Sequence, residues 1–134
     1  MNPNIACGID IEERSRFEKH IPDQSYVSDF CRMVYTEREI DNNICFDPQL
    51  TFPLAFSCKE AIFKALGKSW TNSPISWKDI EVLFTNKNNI HEHTILLSDY
   101  ALEVFNEKKF QKIETSLNFS KDIIIFEVIF LQCS

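Results

Sequence analysis

The chain has 134 residues, of which 44% are hydrophobic and 25% are charged, and its net charge is −6 at pH 7. This composition predicts one densely packed domain over residues 1–134 and excludes a disordered chain. The negative charge argues against nucleic-acid binding, because neutralising phosphates needs a surplus of Lys and Arg. No run approaches the roughly 20 apolar residues of a membrane span, so no membrane association is expected.

The N-terminus and the cysteines indicate the compartment. The first residues, "MNPNIACGIDIE", contain neither a basic segment nor a long apolar stretch suited to secretion, so a cytoplasmic location is expected. The five cysteines are odd in number, widely spaced and without a CxxC pair. They are therefore predicted to be buried free thiols, not disulfides or zinc ligands.

The first predicted element is a strand. Ile5, Cys7, Ile9 and Ile11 alternate with Ala6, Gly8, Asp10 and Glu12, which is the period-two pattern of a strand with one face inward. Asp10 and Glu12 consequently point the same way. Helical spacing follows over residues 13–20, and Pro22 ends it.

Three more helices are predicted in the first half. One covers residues 28–34, and the next begins near Thr36, where "TERE" has the capping-box pattern. The central helix is predicted over residues 51–66, with Pro53 in its first turn and Gly67 in the left-handed position just after it. Glu60 and Lys64 lie four residues apart and share a face that is distinct from the apolar stripe.

The second half is predicted to contain two hairpins separated by a helix. "DIEVLF" and "IHEHTILL" flank the turn "TNKNN". Ser98 begins a helix that runs to about Phe110 and turns Ala101, Leu102 and Phe105 inward. The last hairpin pairs "KIETSLNF" with "IIIFEVIFL", and the latter is apolar enough to be buried on both faces. The predicted fold is α+β, with antiparallel strands and packed helices in one module.

Three carboxylates and one lysine could carry chemistry. Asp10 and Glu12 at the strand end, together with Glu60, could hold Mg²⁺, which takes one or two carboxylates and leaves other positions to water and phosphates. Lys64 could then neutralise charge on a phosphate leaving group. The helical Glu–Lys pair and the strand-end acids each have an ordinary explanation when taken alone. A Glu–Lys pair on a helix surface contributes only ~0.2–0.5 kcal/mol to helix stability, and acids that follow a strand interact favourably with the N-terminus of the next helix.

The joint pattern resembles the phosphopantetheinyl transferases, in particular the short holo-acyl-carrier-protein synthase type, over nearly the whole chain. "GIDIEERSRF" is similar to the family's "GxD" strand and first helix, and "YTEREI" to its "(F/L)TxxE" segment. "FSCKEAIFKALG" resembles the signature "FxxKEAxxKAxG", and "SWKDIEVLF" resembles the aromatic-x-DIE strand that follows it. The order and spacing of these segments also agree with the family.

The resemblance implies an enzyme that transfers 4′-phosphopantetheine from coenzyme A to a serine of an apo acyl carrier protein and releases adenosine 3′,5′-bisphosphate. It implies that Mg²⁺ is bound by Asp10 and Glu60, with Glu12 matching a third acid of the double-length branch. Lys64 matches the lysine that contacts the pyrophosphate and protonates the leaving group. The cofactor positions are Lys64, Gly67, Lys68 and Ser116, and the residues facing the carrier are Arg14 and Arg16.

Two segments depart from the family pattern. "ETSLNF" stands where "HxSIxH" is common, so Glu114 and Phe119 replace histidines while Ser116 is retained. "GKSW" replaces a "GTG"-like turn, where Lys68 could compensate. A carboxylate beside an anionic cofactor raises the electrostatic energy unless it binds metal, faces away or is protonated.

The departures leave alternatives open. The chain could be a catalytically silent relative that binds a carrier protein or coenzyme A as a regulatory or assembly module, or a general acyl-chain or nucleotide-binding α+β domain. A single-length chain is expected to form its site between protomers, first as a homotrimer and second as a dimer. The general base and the carrier's pathway, whether fatty-acid biosynthesis, polyketide or other lipid metabolism, stay open.

Overall fold

The computed structural model describes residues 5–22 and 26–132 and confirms the α+β class. Two short 3₁₀ helices, Arg14–His20 and Trp77–Asp79, accompany the regular elements. Those elements are β1 Ile5–Glu13, α1 Asp29–Val34, α2 Glu37–Cys45, α3 Pro48–Leu66, β2 Ile80–Phe84, β3 His93–Leu97, α4 Asp99–Glu107, β4 Lys112–Phe119 and β5 Ile123–Leu131.

The strands form two antiparallel sheets. One has three strands in the order β1-β5-β4, and the other is the β2-β3 hairpin. Helix α3 packs on one face of the larger sheet and also contacts β2, so it lies at the centre of the molecule. The largest fully buried apolar side chains come mostly from α3, β2 and β5: Tyr35, Phe52, Leu54, Ile62, Leu66, Ile75, Ile80, Phe84, Ile124, Phe126 and Phe130.

Strand β1 is confirmed, but its apolar face is the exposed one. Ile5, Ile9 and Ile11 are 57%, 48% and 60% exposed, whereas Gly8 and Asp10 are buried against α3. Gly8 explains this orientation, because a Cβ atom at this position would lie 2.0 Å from the carbonyl oxygen of Ala61. The backbones of β1 and α3 therefore touch, and no larger side chain fits between them.

Strand β5 buries one face within the described chain, not the two faces expected from its sequence. Ile124, Phe126, Val128 and Phe130 are fully buried, while the alternate residues are partly exposed or exposed. The register places those alternate residues beside the exposed isoleucines of β1. The two strands thus present a continuous, mostly apolar face that we call the outer sheet face. Its apolar members are Ile5, Cys7, Ile9, Ile11, Ile123, Ile125, Ile129 and Leu131, and it also carries Glu13 and Glu127.

The predicted starts of α1 and α2 agree with the structure within one residue, whereas that of α3 does not. Ser28 accepts a hydrogen bond from the Cys31 amide at the start of α1. Thr36 and Glu39 form the expected capping box of α2. Helix α3, however, begins three residues earlier than predicted, at Pro48, so Pro53 lies inside the helix and Pro48 takes the first-turn position. Gly67 ends α3 with φ of 70°, as expected.

Several details differ from the sequence-based expectations. The segment after β1 is a 3₁₀ helix, α4 ends at Glu107 instead of near Phe110, and the return strand of the first hairpin begins only at His93. The hydroxyl of Ser98 donates to the Asp79 carbonyl oxygen instead of capping α4. Leu102 is 39% exposed, so it does not belong to the core.

The cysteines were only partly predicted. Cys31 and Cys58 are buried thiols, as expected, but Cys7 and Cys45 are exposed in the chain. Cys133 lies outside the described residues. In the part of the chain that the structure describes, no helix is long and apolar enough to cross a bilayer.

Candidate active site

Asp10 is held at the point where β1 meets α3. It lies two residues beyond Gly8, so its side chain also points at the helix. The Ser57 hydroxyl donates to Oδ2 at 2.9 Å, and the Lys64 ammonium donates to Oδ1 at 3.1 Å. Lys64 also donates to the Ile9 carbonyl oxygen at 2.8 Å. Asp10 is buried while Lys64 is half exposed, so this carboxylate sits at the boundary between core and solvent.

Glu12 lies on the same face of β1 as Asp10, as the sequence predicted, and the structure shows that this face is the inner one. Burial, followed by the charge of Asp10 and a hydrogen bond to it, raises the pKa of Glu12 to about 7. The Arg16 guanidinium, 3.5 Å from the Glu12 carboxylate, acts in the opposite direction. The raised pKa indicates an excess of negative charge in a partly desolvated place.

Glu60 belongs to the same cluster. Burial and the charge of Asp10 raise the pKa of Glu60, and the charge of Lys64 opposes this rise. Glu60 also contributes to the raised pKa of Glu12. The structure therefore brings together Asp10 and Glu12 from β1 with Glu60 and Lys64 from α3, four residues that lie up to 54 positions apart in the chain. We call them the carboxylate cluster.

The carboxylate cluster fits a hard divalent cation in its donor chemistry. Carboxylate oxygens suit Mg²⁺, which needs only one or two of them beside water and phosphate oxygens. Among the described residues, no three His, Cys, Asp or Glu side chains are already gathered around one point as a complete metal site. The mutual repulsion of Asp10, Glu12 and Glu60, visible in the raised pKa values, is the kind of strain that a bound cation relieves.

A cleft of about 490 Å³ opens beside Glu12. Its walls combine two cationic side chains, two carboxylates and three phenylalanine rings, so it can receive a surface of mixed charge next to the carboxylate cluster. The side chains that line it are Glu12, Ser15, Arg16, Phe17, Glu18, Lys19, His20, Phe30 and Phe56.

The two arginines predicted to face a carrier protein differ in their surroundings. Arg16 is 70% exposed and lines the cleft, so it is available to a partner. Arg14 instead donates from its guanidinium to the Ser120 carbonyl oxygen at 2.9 Å, which ties it to the β4–β5 turn. Of the two, Arg16 is better placed to meet an acidic partner beside the carboxylate cluster.

The remaining predicted cofactor residues do not join the carboxylate cluster within one chain. Gly67 closes α3, and the Lys68 amide donates to the Phe63 carbonyl oxygen. Ser116 lies on the face of the large sheet opposite to Asp10, because its neighbour Leu117 is the residue that shares the inner face. Ser116 can therefore reach a cofactor held at the carboxylate cluster only if the site extends beyond one protomer.

Glu114 also lies on the opposite side of the sheet. Its carboxylate pairs with the Lys112 ammonium at 2.9 Å and is about half exposed. Within one chain it therefore faces away from Asp10 and does not add charge to the carboxylate cluster. Phe119, the other replaced histidine position, packs beside the His91 ring at 6.2 Å between ring centroids.

A family model described as the 4′-phosphopantetheinyl transferase superfamily matches residues 6–122. The chain belongs to this superfamily. A holo-acyl-carrier-protein synthase of Geotalea daltonii is 30% identical over 84% of this chain and 86% of its own length. The synthase of Clostridium tetani is 33% identical over 96% of this chain and 98% of its own.

Solved structures of the superfamily have the same fold. A Neisseria meningitidis holo-acyl-carrier-protein synthase superposes with a TM-score of 0.75 over 95% of this chain and 98% of its own, at 18% identity. A Helicobacter pylori synthase in complex with coenzyme A gives 0.68 over 92% and 98%, at 25% identity. The family resemblance and the fold class predicted from the sequence are thus confirmed.

Two residues of the signature segment, Ser57 and Lys59, were not identified as important from the sequence. Ser57 contacts Asp10, and its spacing of three and seven residues from Glu60 and Lys64 could have placed it on the same helix face. Lys59 is fully buried and pairs with Glu39 at 2.7 Å. Its position within the apolar stripe of α3 was the available signal, because a lysine in such a stripe must find an internal partner.

Proposed function

We propose that the carboxylate cluster carries out the transfer of 4′-phosphopantetheine from coenzyme A to a serine of an apo acyl carrier protein. The observation that carries this proposal is the meeting of two distant superfamily segments at Asp10, where Lys64 contacts the carboxylate at 3.1 Å. The relatives named above are holo-acyl-carrier-protein synthases, and one solved structure holds coenzyme A.

In this proposal Asp10 and Glu60 hold Mg²⁺, with Glu12 as a third acid. The bound cation supplies neutralising charge to the diphosphate of coenzyme A. Lys64 is the chain's own cation at the same place, and it stabilises the charge that develops on the leaving oxygen. A diphosphate and three carboxylates repel one another, so the positive charges of Mg²⁺ and Lys64 would both favour its approach.

The reaction itself is an in-line displacement at the β-phosphorus. The serine oxygen forms a new bond to phosphorus, the bridging P–O bond breaks, and adenosine 3′,5′-bisphosphate leaves with the electron pair. The serine hydroxyl must lose its proton to a base within hydrogen-bond reach. Glu60 is the chain's candidate for that base, because its carboxylate belongs to the carboxylate cluster at which the serine must arrive.

We also propose that the complete site forms between copies of this chain, as a homotrimer first and a dimer second. The outer sheet face supports this, because it exposes Ile5, Ile9 and Ile11 on β1 and continues across the paired strand β5. An exposed apolar surface of this kind is typical of a protein–protein interface. Ser116 lies on the same side of the sheet, so assembly could bring it near a partner's carboxylate cluster. Sedimentation of the parent and Ile9→Glu checks this: a parent monomer at micromolar concentration contradicts it.

Transfer is tested with coenzyme A, Mg²⁺ and a panel of apo carrier proteins, using mass spectrometry to detect the added phosphopantetheine. The parent should modify at least one carrier, while Glu60→Gln and Lys64→Ala should lose about 100-fold or more of the rate. Glu103→Gln and Lys78→Ala change exposed residues of the same types and serve as matched controls. Circular dichroism establishes that all variants are folded.

The outcomes separate the catalytic reading from the silent one. Binding of coenzyme A or a carrier without transfer would identify a silent module and overturn the proposal. The main reason for the silent reading was Glu114, which within one chain faces away from the carboxylate cluster. The cytoplasmic location stays a prediction, and the free thiols of the described cysteines agree with it.

A further inference from the structure

The two donors that hold Asp10 differ in how firmly they are fixed. Ser57 is fully buried in the middle of α3, and its hydroxyl can reach only the Asp10 carboxylate and, at 3.3 Å, the Asp10 carbonyl oxygen. Lys64 is 50% exposed and reaches Oδ1 at the end of a flexible side chain. One carboxylate oxygen is thus held by a rigid neutral donor and the other by a movable cation.

We propose that Lys64 occupies, in the metal-free protein, the Asp10 oxygen that the divalent cation takes, while Ser57 holds the other oxygen in place. This inference rests on the proposed function and deepens it. Binding of the cation at Oδ1 displaces the Lys64 ammonium, because two cations cannot share one carboxylate oxygen at contact distance without strong repulsion. Ser57 carries no charge, so its hydrogen bond to Oδ2 persists.

This arrangement couples metal binding to the release of Lys64. Before the cation binds, the ammonium reduces the repulsion among the three acids. After displacement its side chain is free to move towards solvent, where the diphosphate of coenzyme A must approach. Ser57 is then a positioning residue: it touches neither metal nor substrate, but it fixes the carboxylate that does. The contacts of Lys64 and Ser57 with Asp10 thus predict that cation binding displaces Lys64 and leaves Ser57 in place.

The test measures metal binding alone, by titrating the full chain with Mn²⁺ and following the free ion by electron paramagnetic resonance. Ser57→Ala should weaken Mn²⁺ binding by about tenfold, because a lost hydrogen bond to a metal ligand typically weakens metal affinity 10–100-fold. Lys64→Met should strengthen it by about threefold to tenfold, since a competing charge is removed but water already screens it. The two variants therefore move the same constant in opposite directions.

Matched controls exclude general effects. Thr51→Val removes another fully buried hydroxyl from α3, one that donates to the Asn43 carbonyl oxygen and does not contact Asp10. Lys78→Met removes the charge of an exposed lysine that lies outside α3 and has no predicted role in the site. Both should change Mn²⁺ affinity by less than about twofold, because neither reaches the carboxylate.

The outcomes distinguish this inference from the proposed function. A parent that transfers phosphopantetheine, with Mn²⁺ affinity unchanged in Ser57→Ala or weakened in Lys64→Met, overturns the inference and leaves the function standing. A parent that binds no Mn²⁺ and transfers nothing overturns both. If Ser57→Ala does not fold, Lys64→Met alone decides, because its half-exposed side chain can be replaced without opening the core.

Discussion

Helix α3 carries two lysine–carboxylate sites that differ in burial and in how completely their hydrogen bonds are satisfied. Lys59 and Lys64 lie five residues apart, yet Lys59 is fully buried and Lys64 is half exposed. The Lys59 ammonium donates to the Glu39 carboxylate and to the carbonyl oxygens of Trp77 and Ile80. Three donors meet three acceptors, so nothing is left for a ligand.

The Glu39 side of this buried pair is equally complete. Its oxygens accept from the Lys59 ammonium and from the amides of Thr36 and Val82. The carboxylate cluster is the reverse case: three acids meet the cations of Lys64 and Arg16, and burial together with the charge of Asp10 raises the pKa of Glu12. A buried pair whose hydrogen bonds are all made leaves no group for a ligand, whereas an excess of negative charge near the surface can be neutralised by one.

The largest expected effect comes from breaking the buried pair. Lys59→Met should reduce the free energy of unfolding by about 3–5 kcal/mol, because it leaves Glu39 charged and buried with one partner fewer. Urea denaturation followed by circular dichroism measures this loss. Lys78→Met, at an exposed position, is the control and should stay within about 0.5 kcal/mol of the parent.

A double variant sharpens the same comparison. Replacing both members, as in Lys59→Met with Glu39→Leu, often restores stability for a simple ion pair. Here it should not, because the amides of Thr36 and Val82 and two backbone carbonyl oxygens would lose their partners. Recovery to parental stability in the double variant would show that the pair is not needed to satisfy the backbone.

The contact that positions the carboxylate cluster gives the next effect. Gly8→Ala should destabilise the fold by about 1–3 kcal/mol, because the new Cβ atom collides with backbone that cannot move alone. It should also weaken Mn²⁺ binding, since β1 and its Asp10 must shift away from α3. Calorimetry and the Mn²⁺ titration measure the two effects.

The chain's other glycine provides the control for that substitution. Gly67→Ala meets only the Lys108 ammonium at 3.7 Å, and its left-handed φ of 70° destabilises the variant by about 1 kcal/mol. Mn²⁺ affinity should remain parental in this variant. If Gly8→Ala left both stability and metal affinity unchanged, the close approach of β1 to α3 would not be the cause of the position of Asp10.

These two regions also mark how far the sequence alone predicts the structure. Thr36, Glu39 and Gly67 were placed correctly because capping and left-handed positions depend on a few neighbouring residues. The buried face of β1 was not evident, since alternation shows that a strand has two faces and only the contact of Gly8 with α3 decides which is inside.

The residues of the carboxylate cluster were predicted from the family resemblance. The buried polar residues of α3, Ser57 and Lys59, were not. Asp10, Glu60 and Lys64 follow from the family's spacing, and the structure brings them together. Lys59 was overlooked because a lysine is expected at the surface unless it is paired, and its partner Glu39 lies 20 residues away. Ser57 was overlooked because a small hydroxyl in a helix has no role until Asp10 is placed beside it.

The smallest expected effect concerns the charge of the carboxylate cluster itself. With a pKa of about 7 in the folded chain and an ordinary value of 4.5, Glu12 keeps its proton in the folded state where the unfolded chain has lost it. The unfolded chain then binds fewer protons, so stability falls as pH rises from about 4.5 to about 7 and is level above that window. Glu12→Gln removes this dependence.

Urea denaturation at pH 4 and pH 8, in the presence of a metal chelator, measures the difference in stability between the parent and Glu12→Gln. Parent and Glu12→Gln should have equal stability at pH 4, and the variant should be more stable at pH 8 by on the order of 1 kcal/mol, after allowing for solvent screening near the surface. Added Mg²⁺ should narrow the gap at pH 8, because the cation stabilises the ionised carboxylates of the parent. A parent more stable than the variant at pH 8 without metal would mean that Arg16 compensates Glu12 fully and that the acids are not in excess.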